Sequence, residues 1–270
     1  TATSLRVGPS PWCAMLAAMA HSTPLADRRV LIVGASSGIG AAFARAAIVD
    51  GAQVVVTARR EERLHQLCEE VGGGTVVAGD ATEAADARRI CDSAAAQLGN
   101  LDLVLYVPGV GPLNPLEHFD ADTWRRAFDV NVVGANLICT AALPHLHPDG
   151  IVGFVSTRAV GDVNWGFGAY TVTKAALDQA ILAWRVEHPE RRFCRVVVGN
   201  TQPTEFAHHM NAEWIGPAIQ RWEKQGIPGG MMGTDDVGRT LADTFGVMLE
   251  HPDIDSREIR LDARLEAWPD

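Results

Sequence analysis

The 270-residue chain has 47% hydrophobic and 21% charged residues, which is enough apolar material for one substantial core and favours a single α/β domain. A formal net charge of −10 and a pI near 5.3 argue against nucleic acid or a membrane as a partner, so a small molecule is the expected ligand. The five cysteines are scattered and contain no Cys-x-x-Cys pair. This pattern predicts neither a disulfide framework nor a zinc site, and it fits a cytoplasmic protein.

A short apolar run, residues 11–20, precedes the first recognisable fold element. It follows Arg6 and ends in a small-x-small triplet, as a signal peptide would, but it is too short to span a bilayer. The preferred interpretation is a poorly ordered extension over residues 1–27, or a start upstream of Met15 or Met19. The folded domain is therefore predicted over residues 28–265.

A strand, a glycine-rich loop and a helix follow one another from residue 28. Residues 29–33 form a continuous apolar run, residues 34–40 read Gly-Ala-Ser-Ser-Gly-Ile-Gly, and residues 41–50 are rich in alanine. Glycines let the backbone approach a pyrophosphate, and the helix N-terminus offers N–H groups and a positive dipole end. The predicted cofactor contacts in this loop are Gly34, Ser36, Ser37, Gly38, Ile39 and Gly40.

Strands and helices alternate through the rest of the chain. The predicted strands are 53–57, 75–78, 101–106, 150–155, 193–198 and 257–261, and the predicted helices are 61–71, 83–98, 121–145, 170–187 and 235–250. Because crossovers between parallel strands are right-handed, this alternation predicts a parallel sheet with helices on both faces, a three-layer α/β fold.

Residues 204–232 interrupt this regularity. They are rich in Trp, Met, His and Gly and show no single period. Two interpretations are open, a packed pair of surface helices or a lid over an apolar pocket. The lid is preferred, because ligands of open α/β sheets bind beyond the carboxyl ends of the strands.

Tyr170 and Lys174 lie four residues apart at the start of an apolar helix. Residues at this spacing share a helix face, so the Lys174 ammonium is expected beside the Tyr170 hydroxyl. A neighbouring positive charge favours phenolate and is expected to lower the pKa of Tyr170. On its own the pair is more typical of a helix surface.

Four motifs in order resemble the short-chain dehydrogenase/reductase family, over roughly residues 28–261. They are the glycine loop 34–40, Asp80, Asn131 within Asn-Val-Val-Gly, and Tyr170-x-x-x-Lys174. The resemblance implies a Rossmann-type doubly wound sheet of about seven parallel strands. It also implies a catalytic tetrad of Asn, Ser, Tyr and Lys, in which Asn131, Tyr170 and Lys174 match directly.

The serine of the tetrad has no direct match. The family's Ser-Ser-x-Ala-Gly corresponds to Ser156-Thr157-Arg158-Ala159-Val160, so register assigns the role to Thr157, with Ser156 as the alternative. A threonine hydroxyl can still donate a hydrogen bond to a carbonyl, although its β-branch stiffens the side chain.

Two loops also depart from the family pattern. Tyr106-Val107-Pro108-Gly109 replaces Asn-Asn-Ala-Gly, which leaves Gly109 as the matching cofactor contact. Residues 199–204 replace the family's Pro-Gly approach to a threonine, and Thr204 keeps the place of a hydroxyl near the nicotinamide carboxamide.

The cofactor is predicted from charge at the end of the second strand. An NAD enzyme needs an acid there for the ribose 2′-hydroxyl, whereas a 2′-phosphate needs cations. The chain has Ala58 and Arg59 at this point, which predicts NADP(H) over NAD(H), with Arg59 preferred over Arg60 as the phosphate ligand. Asp80 and Ala81 correspond to the family's adenine-binding turn, although Asp80 alone would also suit a helix N-cap.

The nine histidines do not predict a metal site. His145 with His147, and His208 with His209, are close pairs, but no carboxylate is spaced to complete a ligand set. From their position in the chain alone, His208 and His209 are expected to line the substrate pocket.

The predicted reaction is hydride transfer between nicotinamide C4 and the carbonyl or secondary alcohol of a small, hydrophobic or cyclic ketone or alcohol. The resemblance implies Tyr170 as general acid and base, Lys174 on the nicotinamide ribose, Thr157 on the carbonyl oxygen and Asn131 holding a water. It also implies a homodimer or homotetramer. Two alternatives stay open: a non-catalytic NADP(H) sensor on the same fold, and an interaction scaffold without cofactor.

Overall fold

The computed structural model describes residues 25–227 and 229–264. The predicted extension therefore lies outside the described residues except for residues 25–27. Leu25, at the start of the described part, is fully buried against the main core. The ordered packing thus begins before the predicted boundary at residue 28.

The centre of the fold is a seven-stranded parallel sheet. The strands in chain order are β1 Arg29–Val33, β2 Gln53–Thr57, β3 Thr75–Val76, β4 Leu101–Tyr106, β5 Leu146–Thr157, β6 Arg192–Val198, β7 Thr201–Gln202, β8 Met232–Gly233 and β9 Glu258–Leu261. The sheet order is β3-β2-β1-β4-β5-β6-β9, and β7 pairs separately with β8. The order reverses between β1 and β4, which is the arrangement of a doubly wound Rossmann-type sheet.

Helices cover both faces of the sheet. They are α1 Gly38–Val49, α2 Glu61–Val71, α3 Ala84–Leu98, α4 Ala121–Phe128, α5 Gly134–Ala142, α6 Gly168–Glu187, α7 Ala212–Lys224 and α8 Thr234–Glu250. One core joins the sheet to α1 and α8, with the Phe43 and Phe245 rings 6.2 Å apart, edge to face. The other core joins it to α3, α5 and α6 around Ile90, Ile138 and Leu177. Strands buried on both faces explain why β1, β2 and β4 are continuous apolar runs.

The long helix predicted over residues 121–145 is continuous but not regular. A π-helical turn, Asp129–Val133, joins α4 to α5, and a 3₁₀ turn ends the stretch at His145. By length and composition alone the stretch could cross a membrane, and core helices of soluble proteins share those properties. Its residues Ala135, Ile138, Cys139 and Ala142 are buried in the core with α3 and α6.

The segment between β7 and β8 forms an excursion with paired ends. Thr201 lies opposite Met232 and Gln202 opposite Gly233, so the chain leaves and rejoins the sheet region at one point. The excursion contains a 3₁₀ turn, Glu205–His209, and helix α7. This short parallel pair is absent from the sequence prediction, because two-residue strands carry no periodicity to detect.

Candidate active site

A cavity of about 1000 Å³ opens at the carboxyl ends of the central strands. It lies where the sheet order reverses, the position at which doubly wound folds bind ligands. Of the predicted site residues, all line the cavity except Gly40 and Asn131, which lie directly behind its wall. The excursion between β7 and β8 supplies the opposite wall, including Phe206, His208, His209 and Trp222.

The glycine loop makes a tight turn at the end of β1. Gly34 and Gly38 have φ angles of 87° and 54°, which L side chains rarely adopt. A Cβ on Gly40 would lie 2.3 Å from the Gly34 carbonyl oxygen, so the loop closes only with glycine there. The N–H groups of Gly34 and Ala35 donate to the Thr57 carbonyl at 2.8 and 3.2 Å, which fixes the loop to the end of β2.

Tyr170, Thr157 and Lys174 lie together on one wall of the cavity. The Thr157 side chain lies close enough to Tyr170 to oppose the rise of its pKa, and Thr157 Oγ1 accepts from the Ala159 N–H at 3.2 Å. Lys174 is 2% exposed, and its Nζ donates to the Val155 carbonyl at 2.8 Å. A Cβ on Gly109 would lie 3.3 Å from that Nζ, so Gly109 provides the space into which the lysine reaches.

The expected lowering of the Tyr170 pKa is wrong. Burial raises the pKa of Tyr170 to about 12, and the Thr157 side chain only partly opposes this. Burial lowers the pKa of Lys174 to about 8, with negative Asp178 acting against the shift. For Tyr170 the loss of hydration thus has a larger effect on the pKa than the charge of Lys174. The Lys174 ammonium donates its hydrogen bond to the Val155 carbonyl.

Asn131 is fully buried, and its amide group is satisfied by protein partners. Its Oδ1 accepts from the Val110 N–H at 2.8 Å, and its Nδ2 donates to the Val110 carbonyl at 2.9 Å and to Thr173 Oγ1 at 2.8 Å. Asn131 therefore fixes the loop after β4 to helix α6, one residue before Lys174. The π-helical turn is what places its side chain in this gap.

Tyr106, at the place of the family's first asparagine, connects the end of β4 to the π-helical turn. Its ring is fully buried, and its hydroxyl donates to the Val130 carbonyl at 2.6 Å, next to Asn131. Pro108 packs against Gly34, since a Cβ there would lie 2.9 Å from the proline Cγ. The departure from Asn-Asn-Ala thus keeps the loop attached to both the π-helical turn and the glycine loop.

Ser156, the alternative to Thr157, is 3% exposed. Its Oγ is buried and has no hydrogen-bond partner among the described residues, whereas the Thr157 side chain is the one that acts on the pKa of Tyr170. The contact therefore favours Thr157 as the neighbour of the tyrosine.

Arg59, Asp80 and Ala81, which the sequence predicts as contacts of the adenosine part of the cofactor, line one end of the cavity. The Arg59 side chain is 61% exposed, and its Nη1 lies 4.0 Å from Asp80 Oδ2. Asp80 Oδ1 accepts from the N–H and the hydroxyl of Thr82, at 3.0 and 2.7 Å. Asp80 closes this turn, and the residue at the N-cap of α3 is Glu83.

Arg60 is the residue that sequence reasoning missed. It stands at the N-cap of α2, as expected of a helix start, but its guanidinium reaches back to the glycine loop. Its Nη2 donates to Ser36 Oγ at 2.9 Å and to Ser37 Oγ at 3.2 Å, and its Nη1 donates to Glu205 Oε1 at 3.0 Å. The one sign of this contact in the sequence is that two arginines, Arg59 and Arg60, follow β2.

The other end of the cavity is aromatic. Phe206 lies 5.0 Å from Tyr170 and 5.8 Å from Phe167, and Trp222 stacks on Phe167 at 5.3 Å. Thr204, at the base of this wall, packs on the glycine loop, because a Cβ on Gly38 would lie 3.5 Å from its Cγ2. A planar apolar group would find complementary ring faces here.

The histidine pairs have separate surroundings. His145 Nε2 lies 2.8 Å from Asp92 Oδ1, away from the cavity, whereas His208 and His209 line it. Burial, together with positive Arg126, lowers the pKa of His209. Within residues 25–227 and 229–264, no cluster of His, Cys, Asp or Glu side chains is arranged to hold a metal ion.

The fold and the cavity define a dinucleotide-binding protein of the Rossmann type, and comparison with known proteins gives its family. The family model described as short chain dehydrogenase matches residues 28–215. The chain belongs to the short-chain dehydrogenase/reductase family of oxidoreductases, and the resemblance drawn from its motifs is confirmed.

Curated relatives extend the comparison. An L-fucose dehydrogenase of Oryctolagus cuniculus is 35% identical over 162 residues, which make up 59% of this chain and 57% of that protein. The chain thus spans little more than half of that relative. A reductase of Mycobacterium tuberculosis, named (5R,7aS)-5-hydroxy-7a-methyl-1-oxo-2,3,5,6,7,7a-hexahydro-1H-indene-carboxyl-CoA reductase, is 27% identical over 73% of this chain and 72% of its own length.

Solved structures share the fold. A short chain dehydrogenase from Burkholderia cenocepacia, in complex with NADP, superposes with a TM-score of 0.76 at 24% identity, over 88% of this chain and 98% of its own. An alcohol dehydrogenase from Thermococcus sibiricus, complexed with 5-hydroxy-NADP, gives 0.74 at 23% identity, over 90% and 99%. The predicted seven-stranded, doubly wound sheet is confirmed by these similarities.

Proposed function

We propose that the chain is an NADP(H)-dependent oxidoreductase that transfers a hydride between nicotinamide C4 and the carbonyl or secondary alcohol carbon of a small, ring-containing apolar substrate. The observation that carries the proposal is the grouping of Tyr170, Thr157 and Lys174 on one wall of the cavity. These are the groups that a carbonyl reduction needs beside the substrate oxygen.

The nucleotide would be held by the glycine loop, by Asp80 at the adenine end and by Thr204 and Lys174 at the nicotinamide end. The positive φ angles of Gly34 and Gly38 and the close approach of Gly40 to the Gly34 carbonyl give this loop its tight turn. Arginines after β2 and the absence of an acid at Ala58 favour the 2′-phosphorylated form. Two relatives in fold were solved with NADP-type nucleotides, which is in keeping with this choice. The nicotinamide supplies or accepts the hydride.

Tyr170 would move the proton. With a pKa of about 12 its phenol is protonated near neutral pH and can act as general acid toward a carbonyl oxygen. Thr157 would donate a second hydrogen bond to that oxygen. Lys174, still largely charged at pH 7 with a pKa of about 8, would stabilise the phenolate that the transfer leaves.

The substrate class follows from the wall opposite the nucleotide. Phe167 and Phe206 pack edge to face against Tyr170, and Trp222 stacks on Phe167. Burial of such rings excludes water from the proton transfer. We assign the excursion over residues 204–232 as the lid. A flat cyclic ketone or alcohol is the substrate that this wall would recognise.

Self-association into a dimer or tetramer is part of the proposal. Val172, Leu182 and Val186 on α6 are 47%, 49% and 79% exposed, and Phe128 and Val133 are exposed on the neighbouring helical stretch. Apolar side chains grouped on two adjacent helices suit contact with a second copy. Sedimentation velocity of wild type and Val186→Glu tests this, and a wild-type monomer at micromolar concentration would contradict it.

The central experiment combines binding and turnover. NADPH and NADH are titrated separately against tryptophan fluorescence, and a panel of cyclic and acyclic ketones is then assayed by loss of NADPH absorbance. We expect tighter NADPH binding, and turnover of cyclic ketones that Tyr170→Phe abolishes while nucleotide binding persists. Binding without turnover of any substrate in the panel would favour the sensor alternative, and no binding of either nucleotide would reject the proposal.

A further inference from the structure

The carboxylate of Glu205 is bound by a cluster of donors at the adenosine end of the cavity. Its Oε1 accepts from Arg60 at 3.0 Å and from Arg63, and its Oε2 accepts from Ser37 Oγ at 3.1 Å and lies 2.6 Å from Arg60 Nη2. The bond with Arg60 is the largest cause that lowers the pKa of Glu205, to about 2. The group is thus an anion at any physiological pH.

The donors around Glu205 all belong to the nucleotide-binding half of the fold. Ser37 is part of the glycine loop, and Arg60 and Arg63 follow β2. In a Rossmann-type sheet the ribose 2′ position faces the end of the second strand. Guanidinium groups and hydroxyls are the usual ligands of a phosphate monoester. Glu205 therefore holds the place that a 2′-phosphate would need.

The residue after Glu205 touches the opposite end of the cavity. The Phe206 ring is packed edge to face on Tyr170 at 5.0 Å. It also lies directly over Gly111, because a Cβ there would come within 1.9 Å of the Phe206 Cζ. One short 3₁₀ turn, Glu205–His209, thus contacts both the cluster of cations and the proposed proton donor.

We propose that Glu205 is a specificity-determining residue that competes with the 2′-phosphate of the nucleotide for Arg60, Arg63 and Ser37. This inference rests on the proposed function, since it concerns the same nucleotide site. A 2′-phosphate brings up to two negative charges and displaces the single charge of Glu205, whereas a nucleotide with a 2′-hydroxyl leaves the carboxylate bound. Because Phe206 is the next residue, displacement of Glu205 also shifts the ring that covers Tyr170.

The competition is tested with nucleotide fragments that contain no nicotinamide. Adenosine 2′,5′-bisphosphate and 5′-AMP are titrated calorimetrically, at one ionic strength, into wild type, Glu205→Gln and Glu223→Gln. Glu223 is an exposed carboxylate on the same cavity wall and serves as the charge-matched control. We expect Glu205→Gln to tighten the bisphosphate about tenfold and to change 5′-AMP by less than about twofold, with Glu223→Gln near wild type. Among the residues that the structure describes, Glu205 is the carboxylate bound to Arg60 and Arg63.

Three results would overturn the competition. The first is a bisphosphate affinity that is unchanged or weaker in Glu205→Gln, and the second is an equal tightening by Glu223→Gln, which would reduce the effect to overall charge. The third is weaker binding of 5′-AMP to Glu205→Gln, which would make Glu205 a ligand of the 2′-hydroxyl. Inorganic phosphate, titrated separately, should bind more than tenfold more weakly than the bisphosphate, and equal binding would identify a general anion site instead.

Amide hydrogen exchange tests the coupling to Phe206. In wild type the bisphosphate should speed exchange over residues 204–210, 5′-AMP should not, and Glu205→Gln should exchange quickly without ligand. Slower exchange with the bisphosphate would reject displacement. If wild type bound both fragments with equal affinity and Glu205→Gln were neutral, this inference alone would fail, whereas binding of neither fragment would also reject the proposed function.

Discussion

Lys174→Met should remove a pH dependence from the stability of the protein. Lys174 is 2% exposed, and burial lowers its pKa to about 8 from the ordinary 10.5. Between these two values the unfolded chain holds the lysine proton and the folded chain releases it, so the free energy of unfolding of the wild type rises with pH. From pH 7 to pH 10 the rise due to this group is about 2–3 kcal/mol, at about 1.36 kcal/mol per unit.

The measurement is urea unfolding followed by tryptophan fluorescence at several pH values between about 7 and 10. The buried thiols of Cys91 and Cys194, whose pKa values burial raises to about 12, act in the opposite direction but are present in both proteins and cancel in the difference. The chain has only two lysines, so Lys224→Met, on α7, is the matched control. A constant difference between wild type and Lys174→Met across this range would refute the reasoning.

Three further predictions concern chemistry and cofactor choice. Tyr170→Phe should lower turnover by ~10²–10⁴-fold with nucleotide binding nearly intact; near-normal turnover would remove Tyr170 from the mechanism. The turnover of Thr157→Ser should stay within about tenfold of wild type, while Thr157→Val should lose roughly 2–4 kcal/mol of transition-state stabilisation. If Ser156→Ala lowered turnover instead, Ser156 and not Thr157 would be the residue that binds the substrate oxygen. Arg59→Ala should weaken NADPH binding by about 1.5–3 kcal/mol and spare NADH, and Ala58→Asp should reverse the preference; equal weakening of both nucleotides by Arg59→Ala would count against the assignment.

The main elements could be predicted from the sequence because their signals are local. β1, β2, β4 and α2 have the predicted bounds, since each is an apolar or amphipathic run that ends at glycine, proline or a charged turn. β5 starts at Leu146, four residues before its predicted start. The prediction missed these residues because the polar segment 147–149 does not have the apolar pattern of a buried strand. The irregular π-helical turn inside residues 121–145 gave no compositional sign.

The contact of Arg60 and Arg63 with Glu205 could not be predicted from the sequence, for a different reason. Arg60 and Glu205 are 145 residues apart, and charge-pairing rules apply only to neighbours on one helix or strand. The brace between Tyr106 and Val130 uses a backbone carbonyl, which every residue has and no sequence distinguishes. The pKa of Tyr170 was predicted in the wrong direction, because pairwise charge can be read from spacing whereas the depth of burial cannot.

The π-helical turn at Asp129–Val133 makes the position of the Asn131 side chain depend on the number of residues in the helix. The turn holds one residue more than an α-helical turn, and π-turns cost stability that a regular helix would recover. Loss of a single residue, such as Val132, would restore ordinary helix geometry and rotate the preceding residues by about 100° relative to α5. Asn131 would then face away from Val110 and Thr173, while α5 kept its packing. A one-residue deletion here should yield a more regular helix in which the loop after β4 has lost its hydrogen bonds with Asn131. A substitution at residue 132 would not have this effect, because it leaves the number of residues unchanged.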